Sequence, residues 1–315
     1  MKYRLKHIVE YAALRAMAGL ANIVPHRAAL FIGWVVAAIG WVLLRGRMRK
    51  IEGRIRQAFG DAKPPREVRR IAWLAWRNLC FNGVEAMRTP STTLDWVKQV
   101  TDHAAIRTVF DHMKDGKGVV LAVPHMGNWE LAGVAAQMFG AKIMIIVRKQ
   151  KNPLANAYLN RMREFTGVQA FLREQKSLAG IARGLREGKV LAILPDLRAK
   201  ADFVPCRFLG RENVQIPAGM AHFAREAGVP IIPAYVVREG WGRHRWAGFP
   251  PIAPDPALDR DADFRRMTQH VIDCFDRAIR EHPDQYFWFN QRWVLGEEPA
   301  SRERPTSNVE RPTPN

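Results

Sequence analysis

Cysteine is scarce in this chain. Its three copies among 315 residues, Cys80, Cys206 and Cys274, lie far apart and form neither a CxxC pair nor a Cys/His ligand spacing. That pattern excludes a disulfide framework and a zinc site, and it suits a reducing compartment. Serine occurs four times, at 91, 177, 301 and 307, and never in a G-x-S-x-G elbow, which excludes a hydrolase built on that turn. No GxxxxGK[ST], GxGxxG or HExxH is present, so a P-loop, a dinucleotide fingerprint and a zincin helix are excluded as well. Nor does the N-terminus carry a cleavable signal pattern: a basic start runs into Ala-rich amphipathic sequence, and the strong apolar run begins only at residue 28.

Acidic residues are also short, 30 against 49 Lys and Arg, for a net charge of +19 and a pI near 10.5. Such a balance favours anionic partners: phospholipid headgroups, nucleic acid or an acidic protein. The excess is front-loaded, with eleven basic residues in the first sixty against only Glu10 and Glu52. A hydrophobic content of 48% over 315 residues suffices for one sizeable core.

Apolar residues at Leu5, Ile8, Val9, Ala12, Ala13, Ala16, Met17 and Leu20 follow helical spacing and predict an amphipathic helix. Residues 28–44, "AALFIGWVVAAIGWVLL", carry no charge. As a helix they would reach roughly 25 Å, short of the ~30 Å hydrocarbon core of a bilayer. Arg27 precedes them and Arg45, Arg47, Arg49 and Lys50 follow, with Trp34 and Trp41 on one face. A buried core helix is one reading. A membrane-inserted or interfacial helix with a basic collar is the other, and the cationic rim beside a Trp-bearing apolar face favours it.

A further helix is predicted over 66–88. From residue 118 the chain alternates between short Val/Ile-rich runs at 118–123, 142–147, 190–194 and 229–237 and helical stretches between them, with another helix at 261–281. Runs apolar on both faces are the mark of covered parallel strands. The expected fold is therefore α/β, a mostly parallel sheet flanked by helices with an N-terminal membrane-associated helical segment. The expected division is 1–50 for the membrane-associated helices, 51–296 for the α/β domain and 297–315, rich in Pro and charge, for a disordered tail.

Chemistry concentrates in "LAVPHMGNWELAG", residues 121–133. His125 directly follows a predicted strand, where open α/β sheets collect their ligands. Gly127 allows close backbone approach, Asn128 is placed to cap the next helix, and Glu130 falls in its first turn, able to fold back on the imidazole. A carboxylate on one ring nitrogen fixes the tautomer and leaves the other to accept a proton. A lone histidine beside a strand is more often structural than catalytic, and the Gly-Asn-Trp-Glu that follows is what favours the catalytic reading.

"HMGNWE" resembles the H-x4-[DE] signature of glycerolipid acyltransferases, in particular the bacterial lipid A biosynthesis (lauroyl/myristoyl) acyltransferase family. "IEGRIRQAFGD", "RKQKNPLANAYLNRMR", "ILPDLRAKADFVPCRFLGR", "PAGMAHFAREAGVPIIP" and "HPDQYFWFNQRW" are similar to that family's segments in the same order, and together they cover about residues 10–296. The resemblance implies acyl transfer from a thioester of acyl carrier protein or coenzyme A to a lipid hydroxyl, without a cofactor, a metal or a covalent enzyme intermediate. His125 is the expected general base and Glu130 its orienter. Asn128, Arg148, Asn152, Asp196 and Arg198 are the expected substrate-binding residues. Of these, Arg148 reads equally as an anchor for an anionic headgroup and as a surface cation, and Asn152 suits a cap on the helix starting at Pro153 first and a substrate contact second. The expected partners are an anionic membrane lipid and the thioester donor, at the cytoplasmic face of a bacterial inner membrane. A lipid A-type precursor is the first acceptor reading, and a lysophospholipid or glycosylated phospholipid the second. A basic nucleic-acid-binding protein or a non-catalytic membrane-surface module would also explain the charge. Nucleic acid is not expected, since no binding motif accompanies the basic excess, and a surface module leaves "HMGNWE" unexplained.

Overall fold

The computed structural model describes residues 3–113, 116–147, 149–172 and 178–296, and it opens with four helices. These are α1 (Leu5–Ile23), α2 (His26–Leu43), α3 (Arg45–Phe59) and α4 (Pro65–Met87). The amphipathic α1 forms as expected, and its large apolar residues Leu5, Val9, Met17 and Leu20 are exposed. Helix α2 buries only Ala29, Leu30, Gly33 and Ala37, and it packs along α4. Small residues make that seam close: a Cβ on Gly33 would stand 2.9 Å from Val84, and one on Gly40 only 2.7 Å from the Trp76 ring. Trp76 also donates its indole N–H to the Ala37 carbonyl at 2.8 Å. The opposite face of α2 is bare, with Val36 54%, Ile39 54% and Leu43 75% exposed. A buried core helix is thereby excluded for this segment.

Helix α3 runs through residue 50 and buries Met48 and Ile51 in the main core, so the helical region is continuous with the rest of the fold. The segment 297–315 lies outside the described residues.

The chain continues through α5 (Leu94–Val100), β1 (Thr101–Asp102), α6 (Ile106–Met113), β2 (Val119–Ala122), α7 (Trp129–Met138), β3 (Ile143–Val147) and α8 (Pro153–Thr166). Then come β4 (Gln169–Leu172), α9 (Leu178–Arg186), β5 (Val190–Ile193), β6 (Phe203–Phe208), β7 (Arg211–Pro217), α10 (Gly219–Ala227), β8 (Ile231–Glu239), β9 (Arg243–Gly248) and α11 (Arg260–Glu281). Seven strands form one sheet in the order β1-β9-β8-β2-β5-β3-β4, parallel at every pairing except β8 with β9; β6 and β7 form a separate antiparallel hairpin.

Both faces of the central strands are covered, which is why they read as continuous apolar runs. Val119, Ile143, Val190 and Ile232 pack with Ile106 and Val109 of α6 and Ala136 of α7. Val120, Ala122, Met144 and Leu191 face the other way, into a larger core with α3, α4, α10 and α11. The α/β expectation is thus met. Five strands, β1, β4, β6, β7 and β9, were not anticipated. β4 is an edge strand with two exposed residues, β9 carries Arg243, His244 and Arg245, and β1 is two residues long. The hairpin alternates instead, burying Val204, Cys206 and Phe208 on one face.

Candidate active site

Strands β2 and β5 are neighbours, with Ala122 opposite Ile193. Three residues beyond each lie His125 and Asp196, both preceded by proline. Parallel strands in register carry equal extensions to the same place, so the two side chains meet at the carboxyl edge of the sheet. Asp196 accepts twice from His125, from the backbone N–H at 2.9 Å and from ring Nδ1 at 2.7 Å. With Nδ1–H directed at a carboxylate, Nε2 is left as the proton acceptor. Burial lowers the His125 pKa. The Asp196 charge and hydrogen bond, with a smaller contribution from Glu130, more than offset it, so the value is raised above the ordinary one. Behind Asp196 the buried Tyr286 phenol is held well above its usual pKa, first by burial and then by the Asp196 charge, so it stays a hydrogen-bond donor toward that carboxylate.

The turn itself is gripped from several sides. His125 accepts at its carbonyl from Phe287 N–H (2.7 Å), and Gly127 N–H donates to the Gln285 carbonyl (2.8 Å). Gly127 has φ +58°, and a Cβ there would stand 2.0 Å from the Val236 carbonyl oxygen. No other residue fits.

Three expectations are corrected here. Asp196, not Glu130, orients His125: the register-matched carboxylate takes Nδ1, while Glu130 is exposed in the first turn of α7 and acts on the imidazole through its charge. Asn128 has no free polar atom for substrate. It is buried, its Oδ1 caps α7 at Leu131 N–H (3.0 Å) and its Nδ2 donates to Glu85 (2.6 Å). Asn152 caps α8 and donates to the His7 carbonyl (3.1 Å) and Glu10 (2.9 Å), tying α1 to α8. Arg198 is exposed with its Nε 3.5 Å from Gln215, and the cavity wall beside it is made by Leu197 and Arg292. Arg148 lies outside the described residues.

A cavity of about 1790 Å³ opens on His125, Trp129 and Glu130. Gly133, Ala136, Ile145, Leu159, Met162 and Val168 wall one side of it, and Phe203, Phe223, Phe264 and Phe289 another. Arg47, Arg163, Arg260, Arg265 and Arg292 line it too; sequence reasoning had Arg47 only as part of the basic collar and missed the others, because the five come from four separate segments. The volume exceeds the ~300–1,000 Å³ of ordinary small-molecule sites, and the apolar walls suit long hydrocarbon chains.

The sequence profile of the bacterial lipid A biosynthesis acyltransferases matches residues 2–294. The chain belongs to that family. As a member it is an acyltransferase acting on lipid substrates. Among relatives of the same family, a phosphatidylinositol mannoside acyltransferase of Mycolicibacterium smegmatis is 26% identical over 217 residues, covering 67% of this chain and 68% of that protein. One from Mycobacterium tuberculosis is 29% identical over 184 residues, 57% of this chain, which spans about half (55%) of that relative's length. A solved 1-acyl-sn-glycerophosphate acyltransferase from Thermotoga maritima aligns over 85% of this chain and 99% of its own at 14% identity, with a TM-score of 0.37.

Proposed function

We propose that this acyltransferase moves a fatty acyl chain from a thioester, of acyl carrier protein or coenzyme A, to a sugar hydroxyl of an anionic membrane glycolipid. The observation that carries the reading is the His125–Asp196 pair at the mouth of an apolar cavity. Nε2 of His125 takes the proton as the acceptor oxygen attacks the thioester carbonyl. The tetrahedral intermediate collapses, the C–S bond breaks, and the imidazolium returns its proton to the departing thiolate, leaving an ester and a free thiol. Asp196 stabilises the transient imidazolium, and the cavity arginines suit anionic groups of acceptor and donor. A lipid A-type precursor is the acceptor the family description points to. A glycosylated phospholipid is favoured by the names of the two mycobacterial relatives. Mass spectrometry of lipids from a deletion strain separates the two, because it shows which ester is missing; an unchanged acylglycolipid profile would overturn the proposal.

The exposed faces of α1 and α2 serve membrane docking in this reading. Seated on α4 along one side, α2 lies on the bilayer rather than crossing it alone, with Arg45, Arg47, Arg49 and Lys50 near anionic headgroups at about 1 kcal/mol each. Replacing Val36, Ile39 and Leu43 by serine removes about 1 kcal/mol of burial apiece, since half or more of each residue is still open to bury. Vesicle binding should weaken about 10²-fold, and high salt alone should not release the unaltered protein. Complete release by salt in a sedimentation assay would make the contact purely electrostatic.

A further inference from the structure

One carboxylate gathers the polar groups behind the catalytic turn. Glu85, on α4, has a side chain with no exposure at all. Its Oε2 accepts from Arg238 Nη2 (2.5 Å) and Asn128 Nδ2 (2.6 Å). Its Oε1 accepts from Arg238 Nη1 (3.0 Å) and stands 3.2 Å from His26 Nε2 and 3.3 Å from His244 Nε2. One turn earlier on α4, Asn82 receives Arg238 Nη2 (2.7 Å) and donates to the Gly127 carbonyl (2.6 Å). Burial opposes the Glu85 charge, but Arg238 and the two histidines outweigh it, and the carboxyl is held well below the ordinary range.

A buried ion pair of this kind is a weak source of stability, because desolvation cancels much of the attraction and apolar residues of equal volume often do as well. What it gives is geometry. The groups on Glu85 come from four different parts of the fold: Arg238 lies near the end of β8, His244 on β9, His26 opens α2 and Asn128 stands three residues after His125. Both polar atoms of the Asn128 amide are engaged, Nδ2 with Glu85 and Oδ1 with the first turn of α7. Together with Asn82 on the Gly127 carbonyl, it fixes the far end of the turn whose near end Asp196 holds.

We infer that Glu85 is a positioning residue for the His125 base, acting through Asn128, and that His26 ties the first residue of the membrane-facing helix to the same carboxylate. The inference rests on the acyl-transfer reading of His125. Glu85 touches no reacting atom; its contribution is that the imidazole keeps its place between Asp196 and the cavity, where displacement by about 1 Å costs on the order of 10² in rate.

The variant that isolates the link is Asn128→Ser. Serine is as good an N-cap as asparagine, so α7 keeps its start, but it has no donor that reaches Glu85. Expected are a Tm close to wild type, KM unchanged, kcat lowered about 10- to 100-fold, and the rising limb of the pH–rate profile moved to lower pH as His125 loosens from Asp196. Unchanged kcat and pH profile overturn the inference. If Asn128→Ser fails to fold, Asn128→Asp and the exchange Glu85→Gln/Asn128→Asp decide. The single variant sets two carboxylates together, and the exchange restores a donor and an acceptor with the same net charge. Recovery of kcat per folded molecule in the exchange supports the link, and no recovery overturns it. A wild-type protein without acyl transfer would instead sink the functional reading. The positioning is then read from the His125 pKa by NMR, where a fall in Asn128→Ser supports it and no change overturns it.

Discussion

Replacing His125 by alanine should lower acyl transfer by about 10²–10⁴-fold, the usual contribution of a general base, with the protein still folded. The imidazole side chain is 17% exposed and faces the cavity, so its removal opens no sealed core void. Asp196, left behind, still accepts from the backbone N–H of residue 125 and faces the protonated Tyr286, so its buried charge is not orphaned. Those two facts separate catalysis from stability. A structural histidine would announce its loss as a lower Tm at normal turnover per folded molecule, and that outcome would end the mechanism proposed here. The partial rescue sometimes given by exogenous imidazole gives a second reading of the same point, since the cavity leaves room for it.

The register that builds this site is written in the chain. "VVLAVPH" (119–125) and "VLAILPD" (190–196) have the same length, the same apolar start and proline at the same offset, so parallel pairing in register brings histidine to aspartate. Sequence reading singled out both residues, His125 as the base and Asp196 for substrate binding. It chose the wrong carboxylate because Glu130 is near in sequence, and sequence distance says nothing about which carboxylate a strand register delivers. The strands covered on both faces were legible from their Val and Ile runs. β9 was not, because an antiparallel strand bearing Arg243, His244 and Arg245 has neither period nor propensity to mark it. Glu85 was illegible for another reason: its partners come from residues 26, 128, 238 and 244, and no local pattern announces a contact across that span. For α2, the charge-free run predicted apolarity but not its use. That waited on the Gly33 and Gly40 seam, which decides the face turned to α4 and hence the face left bare.

Asp196→Asn against Glu130→Gln tests which carboxylate orients the base. Asparagine keeps the shape of Asp196 but offers one acceptor oxygen where the two aspartate oxygens each take a donor of His125, the backbone N–H and Nδ1–H, beside the Tyr286 phenol. Whichever way the amide turns, one donor faces an NH₂ group; the orientation that accepts from the backbone favours the tautomer with Nε2 protonated, which cannot act as base. A loss of about 10³–10⁴ in kcat is expected, in line with the effect of mis-set tautomers in histidine-dependent acyl transfer. The pH dependence has a definite sign. Carboxylates raise the pKa of an imidazolium, so removing one lowers it. Because neutral imidazole is the active form, the rising limb of the residual activity should move to lower pH. Wild-type folding should also respond: the stabilisation from the raised His125 pKa is fully present below the ordinary histidine value of about 6.5 and is lost as pH climbs through the raised value in the folded protein. Asp196→Asn should erase most of that dependence in Tm measured against pH. Glu130→Gln removes only the last and smallest of the influences raising His125, so it should shift the limb in the same direction but less, and it should cost kcat far less. A Glu130→Gln loss equal to or greater than that of Asp196→Asn would return the orienting role to the residue nearest His125 in sequence, and the register-matched pair would then be a structural contact.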